Sequence, residues 1–149
     1  MKKLAENRKA RFDYELIKEY EAGVVLKGYE VKSVKSGQAS LKGAFVTVHN
    51  EELFLINALI PLYKHTKEIP GYDPSRSRKL LLNKREISHL MGKIQAEGLT
   101  LVPLSMYNKK GRVKLLFALA RGKKKYDKRQ TIKKREDNIK IDRAMKQRR

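Results

Sequence analysis

Residues 14–26 read YELIKEYEAGVVL. Tyr14, Leu16, Lys18, Tyr20, Ala22, Val24 and Leu26 alternate with a second set carrying Glu15, Glu19 and Glu21. That is the period of two of a half-buried strand. A helix would place its apolar residues three and four apart. Gly23 inside the run and Gly28 after it suggest a bulge or sharp bend, as a small barrel requires.

Working outward, most of residues 1–120 reads as strand. Ala44 to His49 and Leu53 to Ile60 form two strands joined across Asn50-Glu51, a hairpin turn. The second is apolar on both faces, which suits a central strand, and Pro61 stops it. Leu99 to Tyr107 and Arg112 to Ala120 form two more, joined by Asn108-Lys109-Lys110-Gly111. Pro103 puts the first of these at an edge or a bulge. In the second, Val113, Leu115, Phe117 and Leu119 share one face, while Arg112 and Lys114 start the other. Val31 and Val34 before Gly37 fit a short helical turn.

One longer helix is clearly marked. Asn83 caps it, Glu86 stands three residues on, and Leu82 is placed to staple onto Ile87. Ile87, Leu90, Met91 and Ile94 recur at i, i+3, i+4 and i+7, and Gly98 ends it. Between the strands and this helix runs a long loop, Pro61 to Arg78, holding three prolines and the cations Lys64, Lys67, Arg76 and Arg78. Several short strands with one good helix give a mainly β chain folded as a small closed barrel.

The charge is large and unevenly placed. The 149 residues hold 36 Lys and Arg against 16 Asp and Glu, a net charge of +20. Residues 1–120 carry 22 cations against 12 acids, and the 29 residues 121–149 carry 14 against 4. In that tail Ile132 and Ile139 fall on one side of a helix while Ile141 and Met145 fall on the other, so no apolar stripe forms to dock on a barrel. We therefore divide the chain into a domain, 1–120, and a basic tail, 121–149, expected to be disordered alone and helical against a polyanion. The polyanion this charge favours is nucleic acid.

Other function classes find little support. There is no Cys, which removes disulfides, thiolate metal sites and cysteine nucleophiles. The apolar run Leu53 to Leu62 is too short to span a membrane, and the basic start lacks the hydrophobic stretch of a signal peptide. His49, His65 and His89 show no metal-ligand spacing, and the pairs Glu19/Glu21 and Glu51/Glu52 read as solvated acids. Neither a phosphate-binding glycine loop nor a serine nucleophile motif is present. No enzymatic activity, cofactor or metal is expected, and the chain is expected to be a cytoplasmic monomer.

Ordered motifs narrow the reading. Glu6 to Arg11 (ENRKAR), Tyr20 to Gly23 (YEAG), Gly28 to Ser33 (GYEVKS), Asp73-Pro74, Arg78 to Leu82 (RKLLL), Lys84 to Glu86 (KRE), Gly98 to Leu104 (GLTLVPL) and Gly122 to Arg129 (GKKKYDKR) together resemble the SmpB family. These are the small protein partners of bacterial transfer-messenger RNA. Phe12 stands where the family commonly has His, Asn108 where it has an aromatic, and the tail lacks the family's frequent Trp.

The resemblance implies an antiparallel barrel of the oligonucleotide-binding type with a few helices. It also implies a function without catalysis. The barrel would bind the tRNA-like domain of transfer-messenger RNA and bring it to stalled ribosomes, with an elongation factor during delivery. The tail would lie against small-subunit rRNA in the decoding centre and the empty messenger channel. Carried over residue by residue, contact with the tRNA-like domain falls on Asn7, Glu21, Leu81 and Lys114. Glu21 is an unusual choice for an RNA surface: it would accept from base or sugar groups, or orient a nearby Lys or Arg. Leu81 reads equally well as core. Tyr126, Asp127, Lys128 and Arg129 fall at the decoding site, with Ile132 and Lys133 just beyond.

Composition alone serves another reading equally well, a general rRNA-binding or ribosomal barrel with a basic extension. A peripheral membrane protein is disfavoured, because the tail lacks an aromatic-rich apolar face beside its charges.

Overall fold

Two strands joined by a two-residue turn organise the molecule. In the computed structural model, which describes residues 2–123, the hairpin runs Thr100–Lys109 and Arg112–Gly122. Lys110 and Gly111 turn it with φ of 50° and 81°, the paired positive values of a tight hairpin. The turn is thus two residues shorter than the sequence suggested. The later strand includes Arg121 and Gly122, which the charge count placed in the tail. Past its end, the Lys123 N–H donates to the Asp13 carbonyl at 3.0 Å.

In chain order the elements are β1 (Lys3–Glu6), α1 (Ala10–Asp13), β2 (Tyr14–Val24), α2 (Gly28–Lys35), β3 (Phe45–His49), β4 (Glu52–Ile56), β5 (Arg78–Leu81), α3 (Lys84–Glu97), β6 and β7, the last two being the hairpin. All pairings are antiparallel. β3, β4, β5, β2, β7 and β6 form a ring that closes where Val46 of β3 meets Leu101 of β6. β1 pairs with the far half of β6, so that β6 is an interior strand. Pro103 is accommodated there by a register shift between Pro103 and Ser105, the bulge its missing N–H calls for. This is the expected small antiparallel barrel. The β3–β4 hairpin turns on Asn50 and Glu51, both with positive φ.

One strand serves two cores. The even alternation read from Tyr14 onward is interrupted between Leu16 and Lys18, where β2 shifts register against β7. Ile17 is the extra residue, 44% exposed. Before it, Tyr14 and Leu16 face outward and pack with Ala10, Val102, Leu104, Ala118 and Ala120, the small core beneath α1. After it, Tyr20 and Ala22 face into the barrel with Leu115, Phe117 and Leu119. The bulge therefore lies at Ile17 and not at Gly23. A single extra residue exchanges the two faces of a strand.

α3 matches its sequence signals. The Asn83 side chain accepts from the Glu86 N–H at 2.9 Å, Leu90 is fully buried, and Gly98 ends the helix with φ of 64°. α2 is longer than the turn expected and starts at Gly28, the glycine read as a bend. Among the described residues no helix is long and apolar enough to cross a membrane.

The long loop is held from one side by a buried charge cluster. Glu30 of α2 and Arg78 of β5 are both fully buried. The Glu30 carboxylate accepts from Arg78 Nε and Nη2 at 3.1 and 2.8 Å, from Arg76 Nε at 3.1 Å, from Tyr72 at 3.2 Å and from the Lys27 N–H at 2.9 Å. Arg78 also reaches the Ala58 carbonyl at 2.7 Å. Arg78, read as part of a basic loop, is therefore interior. A guanidinium keeps its charge when buried, and a carboxylate is the partner that makes such burial tolerable. Burial alone would raise the Glu30 pKa, but the Arg76, Lys27 and Arg78 hydrogen bonds outweigh it and hold it at about 2.

Candidate nucleic-acid interface

Antiparallel pairing puts directly opposed residues on the same side of a sheet. Lys114 of β7 lies opposite Gly23 of β2 on one side and Tyr107 of β6 on the other. Gly23 in turn lies opposite Leu81 of β5, and Glu21 is two residues from Gly23 on the same face. Three strands, β5, β2 and β7, thus bring Glu21, Leu81 and Lys114 together on the outside of the barrel.

Leu81 is 54% exposed, so it is a surface residue and not core. Gly23 leaves the room in which its neighbours converge. A Cβ there would sit 3.4 Å from Leu81 Cβ and 3.6 Å from Lys114 Nζ. A groove of about 220 Å³ follows, lined by Gly23, Val24, Leu81, Arg112 and Lys114 among others.

Glu21 is held from several sides. It accepts from the Tyr107 hydroxyl and from Lys109 Nζ at 3.1 Å. The Tyr107 hydrogen bond first, then the Lys109 hydrogen bond and the charges of Lys109 and Lys114, lower its pKa. Burial and the Glu21 contact raise that of Tyr107. Of the two roles open to Glu21, orienting a neighbouring cation is the one occupied in the free protein. The carboxylate holds the Lys109 ammonium on the face that also carries Lys114 and the exposed Leu81.

Asn7 stands apart. Its backbone N–H donates to the Leu104 carbonyl at 2.7 Å and its side-chain amide to the Pro103 carbonyl at 2.9 Å, which fastens the β1–α1 corner to the β6 bulge. It lines a different cleft, of about 710 Å³, with Arg8, Lys9, Lys42 and Phe45 among its neighbours. A path across the sheet links the two areas, because Glu6, Ser105, Leu116 and Glu21 are paired in succession. Three strand spacings put Glu6 about 15 Å from Glu21. Tyr126, Asp127, Lys128, Arg129, Ile132 and Lys133 lie outside the described residues.

Tyr107 and Lys109 are not singled out as site residues by the sequence, and Gly23 reads there only as a bulge or bend. Tyr107 and Lys109 are far along the chain from Glu21 and meet it only through the β6–β7–β2 pairing. Among the described residues no three His, Asp or Glu side chains converge as metal ligands would.

A model of the family described as SmpB protein matches residues 4–147. The chain belongs to the SmpB family. A similar relative is the SsrA-binding protein of Thermosynechococcus vestitus, 51% identical over 148 residues, which spans 99% of this chain and 97% of the relative. The SsrA-binding protein of Thermosipho africanus is 47% identical and covers both chains completely. A solved SmpB-like chain, from the structure described as "tmRNA-SmpB: a journey to the center of the bacterial ribosome", superposes with a TM-score of 0.65 at 48% identity. It covers 80% of this chain and 84% of its own. Of the motifs that carried the resemblance to SmpB, Tyr20 to Gly23 lies on β2 and Arg78 to Leu81 makes up β5, the strands that carry Glu21 and Leu81.

Proposed function

We propose that this protein binds the tRNA-like domain of transfer-messenger RNA and delivers it to stalled ribosomes, so that the ribosome is rescued and the nascent peptide tagged. The observation that carries this is the meeting of Glu21, Leu81 and Lys114 on one outer face of the barrel, in a chain whose relatives are SsrA-binding proteins. Lysines anchor phosphates, and an exposed leucine beside them offers an apolar contact for an unstacked base or ribose. Asn7 acts through the corner it holds. The role is one of binding and not catalysis, exercised by a monomer in the cytoplasm with an elongation factor during delivery.

The tail, 121–149, extends the function to the ribosome. Its excess of cations suits the rRNA of the decoding centre and the messenger channel, where the same composition favours helix once phosphates neutralise it. Tyr126 is the sole aromatic of that stretch, and stacking of such a ring on an exposed base is worth about 1–3 kcal/mol. Lys128 and Arg129 hold adjacent phosphates, with Asp127 between ring and cations and Ile132 and Lys133 farther along the channel.

A reconstituted tagging reaction tests this. The full chain should support peptide transfer to transfer-messenger RNA on stalled ribosomes. A chain cut after Lys123 should bind the RNA with near-full affinity and fail to support tagging, and Tyr126→Ala should share that defect in milder form. Tagging by the truncated chain at the normal rate would overturn the role of the tail. Absence of binding by the full chain would overturn the reading as a whole.

A further inference from the structure

The groove of about 220 Å³ beside Leu81 reaches α2 on one side and the turn of the β6–β7 hairpin on the other. Its lining is apolar inside and cationic at the rim. Leu26 and Val31 are half-buried against the barrel core, and Val113 is buried. Arg112 and Lys114, two residues apart on β7, flank them. Gly23 lets the Lys114 ammonium lie close over the sheet here, 3.6 Å from where a Cβ would stand.

A second contact fixes the far end of the groove. The Lys35 ammonium donates to the Gly111 carbonyl at 2.9 Å and fastens the last turn of α2 to the hairpin turn. Val31 stands four residues before Lys35, on the same side of α2, so one helix supplies both a groove wall and the cation beyond it. Cations prevail around this rim. Lys110, Arg112 and Lys114 have no ion-pair partner among the described residues. Lys35 keeps donors to spare, because an ammonium has three. Glu21, the carboxylate of the adjoining face, is committed to Tyr107 and Lys109.

An apolar slot rimmed by cations complements a nucleotide, whose base has apolar faces and whose flanking phosphates carry the charge. The volume is below the roughly 300–1,000 Å³ of pockets for drug-sized ligands, so it suits one base and not a stacked run. We infer that the groove receives one unstacked base of the same RNA. Lys114 holds the phosphate on one side of that nucleotide, and Arg112, Lys110 and Lys35 hold the backbone as it passes over the hairpin turn toward the end of α2. The inference rests on the proposed binding of the tRNA-like domain and deepens it: the face takes up an extruded base as well as the backbone.

The test combines binding of the full chain to a tRNA-like-domain transcript at several salt concentrations with probing of the bound RNA. Dimethyl sulfate and a carbodiimide report base edges, and hydroxyl radicals report the backbone. Wild type should shield one unpaired base, flanked by a protected backbone run. Val31→Phe fills the groove. It should restore reactivity to that base and leave the salt slope unchanged, with its fold checked by thermal unfolding. Lys110→Asn/Arg112→Gln keeps a favourable Asn-Gly turn and removes two exposed charges. It should flatten the log–log salt slope by about one to two, because each neutralised phosphate contributes slightly less than one, and uncover the backbone on one side of the shielded base. Binding by wild type with every unpaired base still reactive overturns the inference and leaves the proposed function standing. So does a base that stays shielded in folded Val31→Phe. If Val31→Phe does not fold, the double variant decides, and a wild-type slope and footprint from it overturns the inference. Absence of binding by wild type overturns the proposed function itself.

Discussion

Glu30 and Glu21 are two carboxylates in a strongly basic chain, each held by cations and a tyrosine, and they do opposite work. Glu30 is fully buried and shares its oxygens among Arg76, Arg78, Tyr72 and a backbone N–H. Glu21 sits at the surface with Tyr107 and Lys109, beside the free end of Lys114. Similar partners in different solvent give different consequences. In the interior, loss of either charge strands the other, so the cluster holds the 61–77 loop and α2 together. At the surface, water screens the pair, so its contribution to stability is small and its effect is to aim ammonium groups outward.

The largest expected effect comes from Glu30→Gln, which leaves Arg76 and Arg78 facing a neutral amide. Breaking a buried pair costs about 3–5 kcal/mol, so the urea midpoint should fall steeply. A drop under about 1 kcal/mol would make Glu30 no different from a surface acid.

Acid should find the same cluster. Because the folded pKa of Glu30, about 2, lies below the ordinary 4.5, its stabilisation is fully present above that ordinary value. It is lost as pH falls from 4.5 toward 2. The linked loss is on the order of 3 kcal/mol. Denaturant titrations across that window should show it in the wild type and not in Glu30→Gln.

Glu21→Gln should reverse the pattern. Its effect on stability should stay within about 1 kcal/mol, while affinity for the tRNA-like domain falls and the salt slope stays nearly unchanged, since no cation is removed. A variant that loses stability and keeps affinity would erase the contrast between the two acids.

The smallest effect belongs to Gly23→Ala. The added methyl meets Leu81 and Lys114 only at van der Waals distance, so the fold should be unaffected. Occupying the space between them should lower affinity by a few-fold at most, read in the same binding titration.

What could be read in advance follows the range over which each feature is determined. α3 is written locally: Asn83, Glu86, Gly98 and the spacing of Ile87, Leu90 and Ile94 define it within sixteen residues. The turns at Asn50-Glu51 and at Gly111, and the bulge by Pro103, are equally local. β1 and β5, four residues each, carry too few alternations to show and exist because their neighbours offer open edges. The bulge at Ile17 keeps the period on both sides, so an unbroken alternation conceals it. The Glu30 cluster joins residues more than forty positions apart, and nothing in GYEVKS or SRSRKL taken singly marks them as partners. Glu21, Leu81 and Lys114 came from family resemblance, and only the pairing of β5, β2 and β7 makes them neighbours.

The central claim is that the face built by Glu21, Leu81 and Lys114 recognises a tRNA-like fold and is more than a cationic surface. Equilibrium binding of the full chain to the tRNA-like domain, in competition with an unrelated hairpin of equal length at matched salt, tests it most directly. The account predicts a preference for the tRNA-like domain that persists as salt rises, because non-specific phosphate contacts weaken on both RNAs alike. It also predicts that Glu21→Gln shrinks that preference. Equal affinity for the two RNAs at every salt concentration would contradict it and leave a general basic RNA-binding barrel.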